Sequence, residues 1–176
     1  LRLQASQFFS TYSFSFAEPW MGGREPVQFS TSLSHTIQYR YDYLTGRADE
    51  SQYFQIRGIT LGLAKRLKKP DDFFTLSQAI SYQYYDLNNY YTGLFTFGDG
   101  SANNLNYTVS LSRNNTFTNP IFPTGGSKFT ISGKITPPYS LINGTDFSNL
   151  ENLKEFQLAN GEPDVAKIDQ EKFRWL

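Results

Sequence analysis

Hydrophobic and polar residues alternate along most of this chain. Over residues 27–41, Val27, Phe29, Leu33, Ile37, Tyr39 and Tyr41 hold odd positions, while Gln28, Ser30, Ser32, Ser34, Thr36, Gln38 and Arg40 fill the even ones. A period of two marks a β-strand with one apolar face. Similar alternation predicts strands over about 8–17, 53–64, 73–85, 105–114 and 127–136, with partial strands at Leu1–Ser6 and Lys172–Leu176. Phe8, Tyr12, Phe14 and Phe16 share one parity, and so do Phe74, Leu76, Ile80, Tyr82 and Tyr84. Leu105, Tyr107, Val109 and Leu111 alternate with Asn, Thr and Ser, as do Phe129, Ile131 and Ile135 with Lys, Thr and Ser. The strand at 53–64 is the weakest: Arg57 shares parity with Ile59, Leu61 and Leu63. The predicted class is all-β, an antiparallel up-and-down arrangement.

The connections differ in character. Those at 18–26, 65–72 and 115–126 are compact and rich in Pro, Gly, Asn or Lys, whereas those at about 42–52, 86–104 and 137–171 are longer and more polar. Compact turns at one end and long loops at the other is the plan of an up-and-down barrel in an outer membrane. Within the last loop, Ser148-Asn-Leu-Glu151 reads as a capping box, with Leu150, Leu153 and Phe156 on one side and Gly161 as a stop, which predicts a short helix over 148–160.

The apolar faces belong either to a core or to lipid. A soluble β-sandwich or lipocalin-like barrel turns its polar face to water and carries Lys, Glu and Asp there freely. Here those positions hold mostly Ser, Thr, Gln, Asn and small residues, and the acidic residues sit mainly in the connections. The apolar faces are heavy in Phe and Tyr, with Tyr39, Tyr41, Tyr82 and Tyr84 near strand ends, as in an aromatic girdle. The pattern therefore favours a transmembrane β-barrel in which Val27, Phe29, Leu33, Ile37, Val109, Leu111, Phe129 and Ile131 face lipid.

Composition narrows the chemistry. The 176 residues contain no cysteine, which removes disulfides and thiolate chemistry, and one histidine, His35, on the apolar parity of its strand. Ser-His catalysis lacks a plausible base, so no catalytic, metal or cofactor site and no enzyme activity are expected. Zero net charge gives no electrostatic footprint for nucleic acid. Mean hydropathy is −0.48 and no run of about 18 apolar residues occurs, so a spanning helix is not expected. Three Asn-x-Ser/Thr matches, at Asn106, Asn114 and Asn143, carry no meaning in a bacterial membrane protein.

Two stretches carry more than periodicity. Tyr12–Gly23, YSFSFAEPWMGG, and Asn119–Ser140, NPIFPTGGSKFTISGKITPPYS, resemble the barrel of the BamA family of outer-membrane assembly factors. The matching residues are Glu18-Pro19-Trp20 with Gly22 and Gly23, and Asn119-Pro120 with Phe122-Pro123-Thr124 and Gly126-Ser127. Many members have Arg where this chain has Gly125, so a salt bridge made by that Arg is missing here. The motifs themselves are register-setting turns: Pro19 and Pro123 cannot donate to a ladder, and paired glycines permit positive φ.

The resemblance covers most of residues 1–140 and implies a function. Its parent protein would fold and insert β-barrel clients into the bacterial outer membrane without covalent chemistry or a cofactor. Partners would be outer-membrane lipid, client barrels and accessory assembly lipoproteins. The family's POTRA domains and Arg-Gly-Phe loop have no counterpart in these residues, and about six full strands do not close a sixteen-stranded barrel. The expectation is therefore a middle part of the barrel wall, roughly its third to tenth strands. The alternative, of a different class, is a small standalone barrel or porin-like passive channel, for which Lys128 and Lys134 are thin support.

Overall fold

A computed structural model describes residues 1–23, 27–116, 125–137, 144, 146–158, 160–172, 174 and 175. Seven antiparallel strands form one open up-and-down sheet in sequence order. They are β1 (Arg2–Ala5), β2 (Phe9–Glu18), β3 (Val27–Asp42), β4 (Arg47–Arg66), β5 (Phe74–Asn88), β6 (Gly100–Asn114) and β7 (Lys128–Ile135). The all-β expectation holds, and every expected internal strand forms, although β4 and β6 begin well before 53 and 105. For orientation, the end bearing the turns 19–26, 67–73 and 115–127 is called lower, and the opposite end upper.

Several local expectations are corrected. The connection expected over 42–52 is a four-residue turn at 43–46, because β3 and β4 continue pairing to Asp42 and Arg47. Asp42 closes it: Leu44 N–H donates to Oδ1 at 2.9 Å and the Thr45 hydroxyl to Oδ2 at 2.7 Å. The register shifts between Tyr39 and Arg40, which absorbs three extra residues of β4 and bends this protruding hairpin. The connection expected over 86–104 shortens to 89–99. Compact turns therefore do not segregate to one end: lower connections of seven to thirteen residues face upper ones as short as three and four.

The region after β7 also differs. The helix expected over 148–160 is two 3₁₀ turns, Leu150–Asn152 and Lys154–Phe156, and the Ser148 hydroxyl caps neither. It donates instead to Asp146, whose polar surroundings compete with helix formation. A helix does form further on, α1 (Val165–Lys172), where Asp164 Oδ1 accepts the Lys167 N–H at 3.2 Å as an N-cap. Of the partial strand expected at Lys172–Leu176, Lys172 ends α1, Trp175 makes a parallel bridge to Asn103, and Phe173 and Leu176 lie outside the described residues. That bridge occupies β6 just above the last β7 pair, Tyr107–Ile135.

The one compact apolar cluster among the described residues lies where the pattern predicts polarity. Phe54, Leu87 and Ala102 have the parity of the Ser/Thr face, yet are buried with Phe95 and Phe97 of the 89–99 connection. Phe95 meets Tyr85 edge-on at 5.6 Å and lies tilted against Phe97 at 5.2 Å, and Phe54 stacks with Tyr85 and Tyr90. The connection is therefore folded over the upper end of that face. Helix α1 docks beside it, with the Gln170 amide donating to the Asp99 carbonyl.

Two tests follow from this packing. Phe54→Ala should lower unfolding stability by about 3 kcal/mol and expose 89–99 to protease; unchanged protease resistance would contradict the packing. Asp146 is held below its ordinary value of 3.8, chiefly by the Ser148 hydroxyl and then by the Ser148 N–H and Asn149 amide. A lowered carboxyl stabilises above its unfolded value and loses that effect as pH falls through the folded one. Ser148 N–H protection, read by hydrogen exchange, should persist at neutral pH and disappear only below 3.8.

Candidate functional site: two faces of one sheet

The ladder sorts side chains into rows. On one face, Ser13, Ser34, Gly58, Gln83 and Asn104 lie side by side, followed by Ser15, Ser32, Thr60, Ser81 and Asn106. Hydroxyls bond across strands there: Thr11 with Thr36 at 3.2 Å, Thr60 with Ser81 at 3.0 Å, and Ser132 with Ser110 at 2.9 Å. This is the polar face.

The other face is apolar over its middle. One row is Phe14, Leu33, Ile59, Tyr82 and Leu105; the next is Phe16, Thr31, Leu61, Ile80, Tyr107 and Ile135. All eight residues expected on the apolar face lie on it: Phe29 shares a row with Val109, Val27 with Leu111 and Ile131, and Phe129 follows below. On this face Leu33, Ile59, Leu61, Leu63, Ile80 and Ile131 are 40–66% exposed, while Phe29, Ile37, Leu76, Tyr82 and Leu105 are half-buried. Nothing among the described residues covers them.

Apart from Thr31, polar groups on this face have partners or sit at its margins. Gln78, which the periodicity skipped, accepts the Tyr107 hydroxyl at 2.6 Å. Arg57 keeps the register despite its charge: it forms the upper margin with Tyr12, His35 and Tyr84, and Lys65 lies at the lower margin of the same strand. Arg57 and Lys65 are eight residues apart, about 26 Å along a strand and about 20 Å along a barrel axis at a tilt near 40°. That approaches the apolar band of roughly 25 Å in outer-membrane barrels.

The two turn motifs differ in how much is described. Pro19 follows the last β2–β3 pair, Glu18–Phe29, so its missing N–H costs the ladder nothing. Trp20 is half exposed, and a 3₁₀ turn over Met21–Gly23 places Gly22 and Gly23 at φ 66° and 71°. In the second motif, Asn119, Pro120, Phe122, Pro123 and Thr124 lie outside the described residues. Gly126 has φ 94°, and a Cβ there would collide with the Asn115 carbonyl. The Asn115 side chain accepts the Ser127 N–H at 2.6 Å, and Asn115 N–H donates to the Ser127 carbonyl at 3.1 Å.

Arg113, at the lower end of β6, ties two lower turns together. Its Nε and Nη2 donate to Asp71 Oδ2 at 3.0 and 2.8 Å, and Nη1 donates to the Ser127 hydroxyl at 2.8 Å. Phe74 and Phe129 meet edge-on at 6.0 Å, with the guanidinium 5.7 Å from the Phe74 ring. Asp71 was missed by pattern because its partner lies 42 residues away, although a Lys-Lys-Pro-Asp-Asp turn signals capping acids. No group of three or more potential metal ligands occurs among the described residues. Comparison of the chain with protein-family profiles, curated proteins and solved structures gives no match.

Gly126→Ala should destabilise by about 2 kcal/mol, from strain at positive φ and the carbonyl clash. Asp71→Asn should cost less, about 1 kcal/mol, because the ion pair is partly hydrated. Equal midpoints for both variants in urea would contradict this ordering.

Proposed function

We propose that the chain is part of the wall of a transmembrane β-barrel in a bacterial outer membrane, with the apolar face against lipid and the polar face toward the lumen. One observation carries the reading: a sheet of long strands leaves a broad apolar face exposed while its opposite face satisfies itself with hydroxyl pairs. In water such an exposed area is an unpartnered interface. In hydrocarbon it is the outer wall of a barrel, where Gln78 also needs the bond that Tyr107 supplies. The outer edges of β1 and β7 have no strand partner among the described residues. Open edges are costly in lipid, so further strands complete the sheet.

Within that class, the two turn motifs support a BamA-like insertase that folds and inserts client barrels, aided by accessory lipoproteins. The aromatic cluster over the upper polar face disfavours the passive-channel alternative, since Phe95 and Phe97 occupy space a pore would need. The work is mechanical and electrostatic rather than covalent. The wall holds its shape through the ladder, and its margins fix its depth.

Spin labels along 27–38 test the membrane reading: odd positions should report oxygen access and even ones should not. Equal access for both parities would refute it. Depth gives a sharper test. Leu61 lies midway between Arg57 and Lys65, so Leu61→Arg should cost about 2–4 kcal/mol, and Leu33→Arg, one row higher, less. For the insertase reading, depletion of the protein from its host should lower the heat-modifiable, folded fraction of other outer-membrane barrels. An unchanged fraction would leave the wall without that function.

A further inference from the structure

The upper margin of the apolar face carries a cation without a counterion. Arg57 takes part in neither ion pair among the described residues, and its one hydrogen bond there runs from Nη2 to Gln55 Oε1 at 3.1 Å. Gln55 is only 8% exposed. Because its Oε1 accepts from Arg57, its Nε2 faces His35 Nε2 at 3.2 Å and donates to it. A neutral His35 then carries its proton on Nδ1. One buried amide thus holds two side chains so that guanidinium N–H groups and an imidazole N–H remain free to donate.

These donors border an open groove of about 480 Å³. Tyr84, whose hydroxyl has no hydrogen-bond partner among the described residues, lines the same groove, and Leu33 and Ile59 lie one row below. Donors above and aliphatic side chains below follow the order of headgroup and acyl chain in a lipid leaflet. Arg suits phosphate because its planar fork places two N–H groups on two oxygens. A soluble phosphate would make no use of Leu33 and Ile59.

We infer that this groove binds the phosphate headgroup of an anionic lipid, with the first methylenes of its chain against Leu33 and Ile59. The inference rests on the lipid-facing reading of this face. Gln55 acts as a positioning residue, and Arg57 with His35 and Tyr84 contacts the lipid.

The intact protein, reconstituted in phosphatidylcholine vesicles, allows a direct test. Electron spin resonance of chain-labelled phosphatidic acid and phosphatidylcholine reports the motionally restricted fraction of each. Wild type should favour phosphatidic acid about three-fold, the size expected for a charge-assisted contact at a partly hydrated site. Arg57→Gln should bring the ratio near one, Arg57→Lys should keep part of it, and Lys65→Gln should leave it unchanged. A wild-type ratio of one, or a preference surviving Arg57→Gln, would overturn the inference. In either case an unchanged number of restricted phosphatidylcholine molecules leaves the lipid-facing reading standing. If no phosphatidylcholine is restricted at all, the lipid-facing reading fails, and this inference with it.

Discussion

The antiparallel ladder is the constraint on which everything else depends. From Val27–Lys65 to Tyr39–Tyr53 the β3–β4 pairing runs without a slip, and β4–β5 and β5–β6 continue it. Side chains alternate with a period of two, so a one-residue slip in any pair would exchange the Ser/Thr rows with the Leu/Ile rows. Long strands make such a slip costly. Each row of like residues reinforces its neighbours, and Phe14, Leu33, Ile59, Tyr82 and Leu105 stay on one side because all their pairings agree.

Given the ladder, polar residues on the apolar face become informative. Gln78 lies mid-face and is satisfied by Tyr107; Gln55 lies at the upper margin and holds Arg57 and His35; Arg113 lies at the lower margin and is held by Asp71 and Ser127. Each of these three side chains has a polar partner on a neighbouring element. Arg57 and Lys65 carry charges without an ion-pair partner among the described residues, and Arg57 sits where the face changes from aliphatic to aromatic and polar.

The polar face obeys a second rule at its upper end. Phe54, Ile56, Tyr85 and Leu87 interrupt its Ser/Thr character, and Phe95 and Phe97 return over them. The same strands thus serve two environments in succession: a hydrogen-bonded surface below and a small core above. The 89–99 connection folds over the face because Phe95 and Phe97 complete that core.

The sequence alone determined the strands and their faces, because alternation is a local signal and the ladder only had to respect it. The parity of Val27, Phe29, Leu33 and Ile37, and the positive-φ glycines of the Trp20–Gly23 turn, were legible for that reason. Tertiary structure decided what alternation does not encode. Strand ends moved because pairing with a neighbour extended β3 and β4 past their apolar residues, and α1 forms ahead of the expected C-terminal strand, starting from an Asp164 cap. The Arg113–Asp71–Ser127 tie, the Gln55 relay to Arg57 and His35, and the aromatic cluster over Phe54 were not legible. Each joins residues far apart in the chain, or in neighbouring strands, through side-chain geometry that exists only once the register is set.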